Sequence, residues 1–149
     1  MSFQDNPDAI RWRLHLKSPI ENVFQTVATD AGRASFWAES AIEHEQVIHF
    51  IFPNGVTWDA RILQNAPPYL YSVQYYGNSV ATFMLEEDSQ GGTDLTLTDT
   101  GVPSSQDRTE VIVGWVSVLM ALKAALDFGV DLRGHDINRH WDNGYVENW

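Results

Sequence analysis

The sequence contains no cysteine. Disulfides, thiolate nucleophiles and cysteine-ligated metals are therefore excluded. Positive charge is scarce: 9 Lys and Arg stand against 20 Asp and Glu, a formal charge of −11 with His neutral. The cations are scattered from Arg11 to Arg139 with no basic run. A nucleic-acid or anionic-membrane partner is not expected on that ground. Long apolar runs are also missing. The most apolar stretch, Val111 to Leu126, is interrupted by Gly114, Ser117 and Lys123, and no transmembrane helix is expected. Met1 to Asn6 has neither a basic nor an apolar signal region, so no secretory signal is expected. No Gly-x-Ser-x-Gly elbow, Walker loop, dinucleotide fingerprint or His-Glu-x-x-His occurs.

What is present is ample core material. The chain has 149 residues, 44% hydrophobic and 12% aromatic. That length suits one domain, taken as 1–149, and a chain of this size buries roughly 70% of its unfolded surface. A soluble cytoplasmic protein is the expectation.

Ile10, Trp12, Leu14 and Leu16 alternate with Arg11, Arg13, His15 and Lys17. Period two predicts a half-buried strand. Ser18-Pro19-Ile20-Glu21 reads as a helix start, with Ser18 as cap and Glu21 completing a capping box. Val23, Phe24 and Val27 form the helix's apolar face, Asp30-Ala31-Gly32 breaks it, and Arg33 to Trp37 forms a second brief turn.

From Ala41 to Thr100 strands follow one another, punctuated by Pro53-Asn54-Gly55, Pro67-Pro68, Gly77-Asn78 and Ser89-Gln90-Gly91-Gly92. Short Gly-containing turns between alternating segments predict an antiparallel meander. One long helix closes the pattern. Ser104 or Ser105 caps it, Gly129 stops it, and Val111, Trp115, Val118, Leu119, Leu122 and Leu126 recur on one face. Residues 131–149 are a polar C-terminal extension with large aromatics, among them Trp141, Tyr145 and Trp149 at spacings of four. An antiparallel sheet with its helices on one face is an α+β arrangement.

That order, and several local strings, resemble the helix-grip fold of the START-like superfamily (SRPBCC). Within it, the chain resembles the stand-alone homologues of the C-terminal domain of the activator of the 90-kDa heat-shock-protein ATPase. The strings are Ser18-Pro19-Ile20-Glu21-Asn22-Val23-Phe24, Phe36-Trp37, Pro53-Asn54-Gly55, Pro67-Pro68, Gly91-Gly92-Thr93-Asp94-Leu95-Thr96-Leu97, and Gly114-Trp115 with Leu119, Leu122 and Lys123. They span roughly residues 10 to 129. The resemblance implies a curved antiparallel sheet of about six to seven strands around a long C-terminal helix, with two short helices after the first strand. It implies no single activity, because fold does not determine function. The extension at 131–149 departs from the family pattern.

Strand parity and the helix face place Trp12, Leu14, Trp58, Tyr71, Tyr75, Phe83, Leu97, Asp99, Trp115, Leu119 and Leu122 inside. These are the candidate pocket-lining residues for a small hydrophobic molecule. The alternative is that the rings simply fill the core; a buried Tyr hydroxyl lacking a protein partner would favour the pocket. The resemblance also implies a co-chaperone-like interaction module of stress response, with a chaperone partner or a homodimer. The sequence supplies no counterpart of the full activators' N-terminal domain, so the chaperone ranks below the small molecule. A third reading is a cyclase- or aromatase-like enzyme, for which only Asp99, Tyr71 and Tyr75 are inward acid–base groups. The leaning is towards no catalysis, with no catalytic residue assigned and no cofactor. The five histidines, His15, His44, His49, His135 and His140, show no ligand spacing, so no metal is expected either. On one continuous strand, His44 and His49 would face opposite sides. Arg133 and Arg139 are expected to form exposed ion pairs worth about 0–1 kcal/mol.

Overall fold

The computed structural model describes residues 4–139. The elements run β1 Ala9–Leu16, α1 Ile20–Ala28, α2 Asp30–Ala34, β2 Ser40–His44, β3 Val47–Ile51, β4 Thr57–Ala66, β5 Leu70–Gln74, β6 Val80–Glu87, β7 Thr93–Thr100 and α3 Ser105–Phe128. A single 3-10 turn, Tyr76–Asn78, joins β5 to β6. The strands make one seven-stranded antiparallel sheet in the order β1-β7-β6-β5-β4-β3-β2. This is the expected α+β helix-grip arrangement.

Alternation sets the register. Trp12 pairs with Leu97, and Leu97 pairs with Phe83 on the next strand. Phe83 pairs with Tyr71 in turn. A single-residue slip would turn every one of these side chains to the other face. The core therefore lies on one face, and α3 covers it with Ile112, Trp115, Val118, Leu119 and Leu122.

Both ends of α3 are fastened. Ser104 accepts from the Asp107 N–H at 3.0 Å, and Gly129 terminates the helix with φ 64°, a left-handed conformation that glycine adopts without a Cβ clash. The helix is apolar nearly all round, with Val113, Val116 and Met120 exposed. Against the sequence expectation, it is long and apolar enough to cross a membrane by length and composition, at a mean hydropathy of 1.8 over its 18-residue window. Its buried side is the cover of the sheet.

Several local expectations are corrected. Ser18 does not cap α1; Pro19 occupies that position without a side-chain bond. The Ser18 hydroxyl instead donates to Asp127 Oδ1 at 2.8 Å, tying the start of α1 to the end of α3. The backbone N–H groups of Lys17 and Ser18 donate to the same carboxylate. These bonds and the Lys123 ammonium outweigh the effect of burial and hold Asp127 below the usual carboxylate range. Asp30-Ala31-Gly32 opens α2 rather than simply ending α1, because Thr29 caps it by accepting from the Gly32 N–H at 3.1 Å. Gly32 is needed there: a Cβ would stand 2.3 Å from the Thr26 carbonyl oxygen. His44 and His49 lie on separate strands, joined by a turn through Glu45 and Gln46 at φ 50° and 65°.

The open edges of the sheet are answered by side chains. At β2, Arg33 donates from Nε and Nη2 to the Ala41 carbonyl at 3.1 and 2.9 Å. Asp30 Oδ1 accepts from the Glu43 N–H at 3.0 Å and from Arg33 Nη2 at 2.6 Å. At β1, the Gln4 amide accepts from the Arg11 N–H at 2.9 Å and donates to its carbonyl at 2.7 Å. In each place a side chain offers the donor and acceptor that a further strand would offer.

Candidate functional site

The rings under α3 pack around Trp37, which contacts Phe36, Phe50, Tyr75, Phe83 and Trp115 at centroid distances of 4.9 to 5.9 Å. Packing stops short at one end. Between the first half of α3 and the turn joining β3 to β4 lies a half-open apolar cavity of about 220 Å³. Phe52, Val56, Trp58 and Tyr75 wall it on the sheet side; Val111, Gly114, Trp115 and Val118 wall it on the helix side. Asn54, Tyr76 and Glu110 complete its lining.

α3 presents Gly114 to the cavity. Glycine inside a helix is destabilising by roughly 0.5–1 kcal/mol relative to alanine. Here it lines the space together with Trp58 and Tyr75. The sheet side is held by ring contacts: Phe52 to Trp58 at 4.2 Å, Trp58 to Tyr75 at 5.1 Å and Tyr75 to Trp115 at 5.2 Å.

Trp58, Tyr75 and Trp115, among the sequence candidates, line this cavity. The others sit elsewhere. Tyr71, Phe83, Leu97, Leu119 and Leu122 are buried in the continuous core. Trp12 and Leu14 are half-buried on β1, where the Trp12 indole donates to the Ile112 carbonyl at 3.2 Å. Asp99 is fully buried but lies behind Trp115, at a smaller notch shared with Ile10 and Arg108. The inward tyrosine hydroxyls both have partners. Tyr75 accepts from the Trp37 indole at 2.9 Å, and Tyr71 accepts from Arg33 Nη1 at 3.4 Å. Burial pushes the Tyr71 hydroxyl up to about 12, with the Arg33 charge opposing. The orphan on the cavity wall is instead the indole of Trp58, whose Nε1 is buried with no partner among the described residues; Ser79 Oγ, Asp99 Oδ1 and Arg108 Nε, outside the lining, share that state.

The reading from sequence missed Phe52, Asn54, Val56, Tyr76, Glu110, Val111, Gly114 and Val118 as pocket residues. The helix face did contain a signal. Val111, Trp115 and Val118 share it, and Gly114 interrupts it where bulk is expected. The turn residues Phe52 to Val56 carry no such period.

Asp99 has a structural use. Its Oδ2 accepts from the Trp115 indole at 2.8 Å and so fixes the ring that walls the cavity. Burial raises its carboxyl above the usual Asp value, with Trp115 and the nearby Ser79 hydroxyl opposing. The folded protein thus holds this proton more tightly than the unfolded chain. That contribution is fully favourable below the unfolded value of about 3.9 and is lost as pH rises towards the folded value. Asp99→Asn keeps an acceptor for Trp115 and removes the buried charge. The variant is expected to unfold at higher urea than the native protein at pH 7, with the gain shrinking as pH falls towards 4. An equal loss of stability at both pH values would refute this account.

The start of the extension is pinned beside the site. Arg133, expected in an exposed pair, is buried: it donates to the carbonyls of Ala38 at 2.9 Å and Ala34 at 2.7 Å, and to Asp131. His135 bonds to Asp131 at 2.7 Å and to Glu39, and both contacts raise its imidazole. Burial acts against Asp131, but bonds from Arg133 and His135 bring its carboxyl to about 2. Further along, Ile137 Cδ1 comes within 3.7 Å of a Cβ placed on Gly55, in the turn at the cavity rim. Trp141, Tyr145, Trp149 and His140 lie outside the described residues. His49 bonds to Asp59 at 2.7 Å. Among the described residues, no three His, Asp or Glu side chains are grouped to hold a metal ion.

Known proteins share this arrangement. A structure from Staphylococcus saprophyticus has a TM-score of 0.71 at 24% identity, covering 83% of this chain and 94% of that one. The solution structure of the Aha1 dimer from Colwellia psychrerythraea has a TM-score of 0.73 at 23% identity, covering 81% and 97%. DynU16, from the dynemicin biosynthetic locus, has a TM-score of 0.72 at 16% identity, covering 85% of this chain and 49% of that one. At these identities the likeness establishes the fold alone. No curated protein matches the sequence significantly. The profile of the family described as activator of Hsp90 ATPase homolog 1-like protein matches residues 17–127, and the chain belongs to that family.

Proposed function

We propose that the protein binds a small hydrophobic molecule in the cavity between α3 and the β3–β4 turn. The observation that carries this reading is the combination of an apolar, ring-walled space of about 220 Å³ with a glycine on the helix that covers it. An engineered apolar cavity of about 150 Å³ binds benzene, so this space accommodates one or two rings. Binding draws on burial of apolar ligand surface at about 25 cal/mol per Å². Chaperone activation comes with the family description, and a dimer with the Colwellia relative; neither draws on a feature of this cavity. Acid–base catalysis would need a titrating group at the reacting atoms. Asp99 is screened from the cavity by Trp115, so binding is the stronger reading.

The test is native mass spectrometry of the full chain purified from its own host, beside Gly114→Leu. The native protein is expected to retain a small-molecule adduct. The variant is expected to lose it while keeping its fold, since leucine fills the space and is the better helix former. A native protein free of adduct that also shows no saturable uptake of small aromatic probes would sink the proposal.

A further inference from the structure

We infer that the cavity selects a neutral planar aromatic molecule bearing a hydrogen-bond acceptor, and that the Trp58 indole N–H is the donor that selects it. This rests on the ligand-binding reading and adds the chemistry of the ligand.

The described tryptophan indoles make the contrast. Trp12 donates to the Ile112 carbonyl, Trp37 to the Tyr75 hydroxyl and Trp115 to Asp99. Trp58 alone among them has a buried N–H with no hydrogen-bond partner among the described residues. A donor left so costs about 1–3 kcal/mol, and native proteins seldom tolerate it without a reason. Trp58 is also a wall of the cavity, so an acceptor brought in by a ligand is the partner the fold does not supply.

The rings around it define the rest. The ring centroids of Phe52, Tyr75 and Tyr76 stand 4.2, 5.1 and 5.9 Å from that of Trp58, whose N–H is itself buried. Tyr76 is the exposed one, on a 3-10 turn with its hydroxyl donating to Asp107 at 3.2 Å, and is the wall a ligand has to displace to reach the N–H. Aromatic walls favour a flat π-system in offset or edge contact over a flexible aliphatic chain. Among the described residues, Glu110 is the only carboxylate lining the space, and no cation lines it. An anionic ligand is therefore opposed, while a ketone, ether or amide oxygen on one or two rings fits.

The test compares 1-indanone with indane, the same bicycle with and without a carbonyl, on the full chain and on Trp58→Phe. Affinities come from NMR titration. The native protein is expected to show one indole N–H resonance, assigned to Trp58, that moves downfield with 1-indanone and not with indane. Trp58→Phe is expected to weaken 1-indanone about five- to tenfold and to leave indane within about twofold. Comparing ratios between the two proteins cancels the probes' different hydration. If both probes keep the same affinity ratio in Trp58→Phe, the donor assignment is overturned while the ligand-binding reading stands. If neither probe binds the folded native protein, both fall. Should Trp58→Phe fail to fold, the Trp58 resonance of the native protein decides: a shift specific to 1-indanone supports the inference, and its absence overturns it.

Discussion

Replacing Arg33 with methionine is expected to destabilise the protein by about 3–5 kcal/mol, read as a lower midpoint in urea denaturation. The side chain is fully buried, yet its five N–H donors serve four acceptors: Ala41, Val27, Tyr71 and Asp30. Methionine fills much of the volume and satisfies none of them. The Ala41 carbonyl on the edge strand loses two donors at once. Asp30, half-exposed, loses its guanidinium but keeps water, so most of the loss falls on the buried backbone. Arg33→Lys separates charge from geometry. It retains the charge without the planar fork, and an intermediate loss is expected. If Arg33→Met costs under about 1 kcal/mol, the fork is not holding β2 and this account of the edge is wrong.

Trp37→Ala is expected to cost a similar amount, about 3–5 kcal/mol, through cavity formation rather than lost polar contacts. Trp37 is 1% exposed and is the ring on which Phe36, Phe50, Phe83, Tyr75 and Trp115 converge. Its indole also supplies the bond that the Tyr75 hydroxyl accepts. Alanine leaves a void beside the apolar cavity and frees Tyr75 to turn. Urea denaturation should report the lost stability, and near-ultraviolet circular dichroism the lost ring order. Trp37→Phe should cost less, because it keeps most of the packing and removes only the N–H. Equal losses in the two variants would assign the effect to the hydrogen bond instead.

The strand faces were legible because alternation is a short-range property of a pleated chain. Trp12, Trp58, Phe83, Leu97 and Asp99 all point inward as their parity requires. What parity does not give is position along the sheet. Phe83 and Leu97 share a face with Trp58 but lie in the packed core, whereas Trp58 stands where the packing ends. Trp58 faces Gly114 across the cavity, on a helix far from it in sequence, a pairing that strand parity cannot reveal. The division of β2 from β3 was hidden because their turn uses Glu45 and Gln46, neither of them a usual turn residue. Arg133 was read as a surface charge because composition alone carries no sign of the carbonyls that await it. The Trp58 orphan was out of reach for the same reason: an absent partner is a fact about three-dimensional neighbours.

The two side-chain guards at the sheet's ends, Gln4 on β1 and Asp30 with Arg33 on β2, bear on how this molecule meets others. Seven antiparallel strands that do not close into a barrel have two growing points, and a second molecule adding at either could begin a polymer. Here each growing point is already occupied by an imitation of the next strand. Any partner that came by extending the sheet would first have to expel Gln4, or break the Asp30–Arg33 pair and empty a buried arginine site. Growth by sheet extension is thereby opposed at both rims.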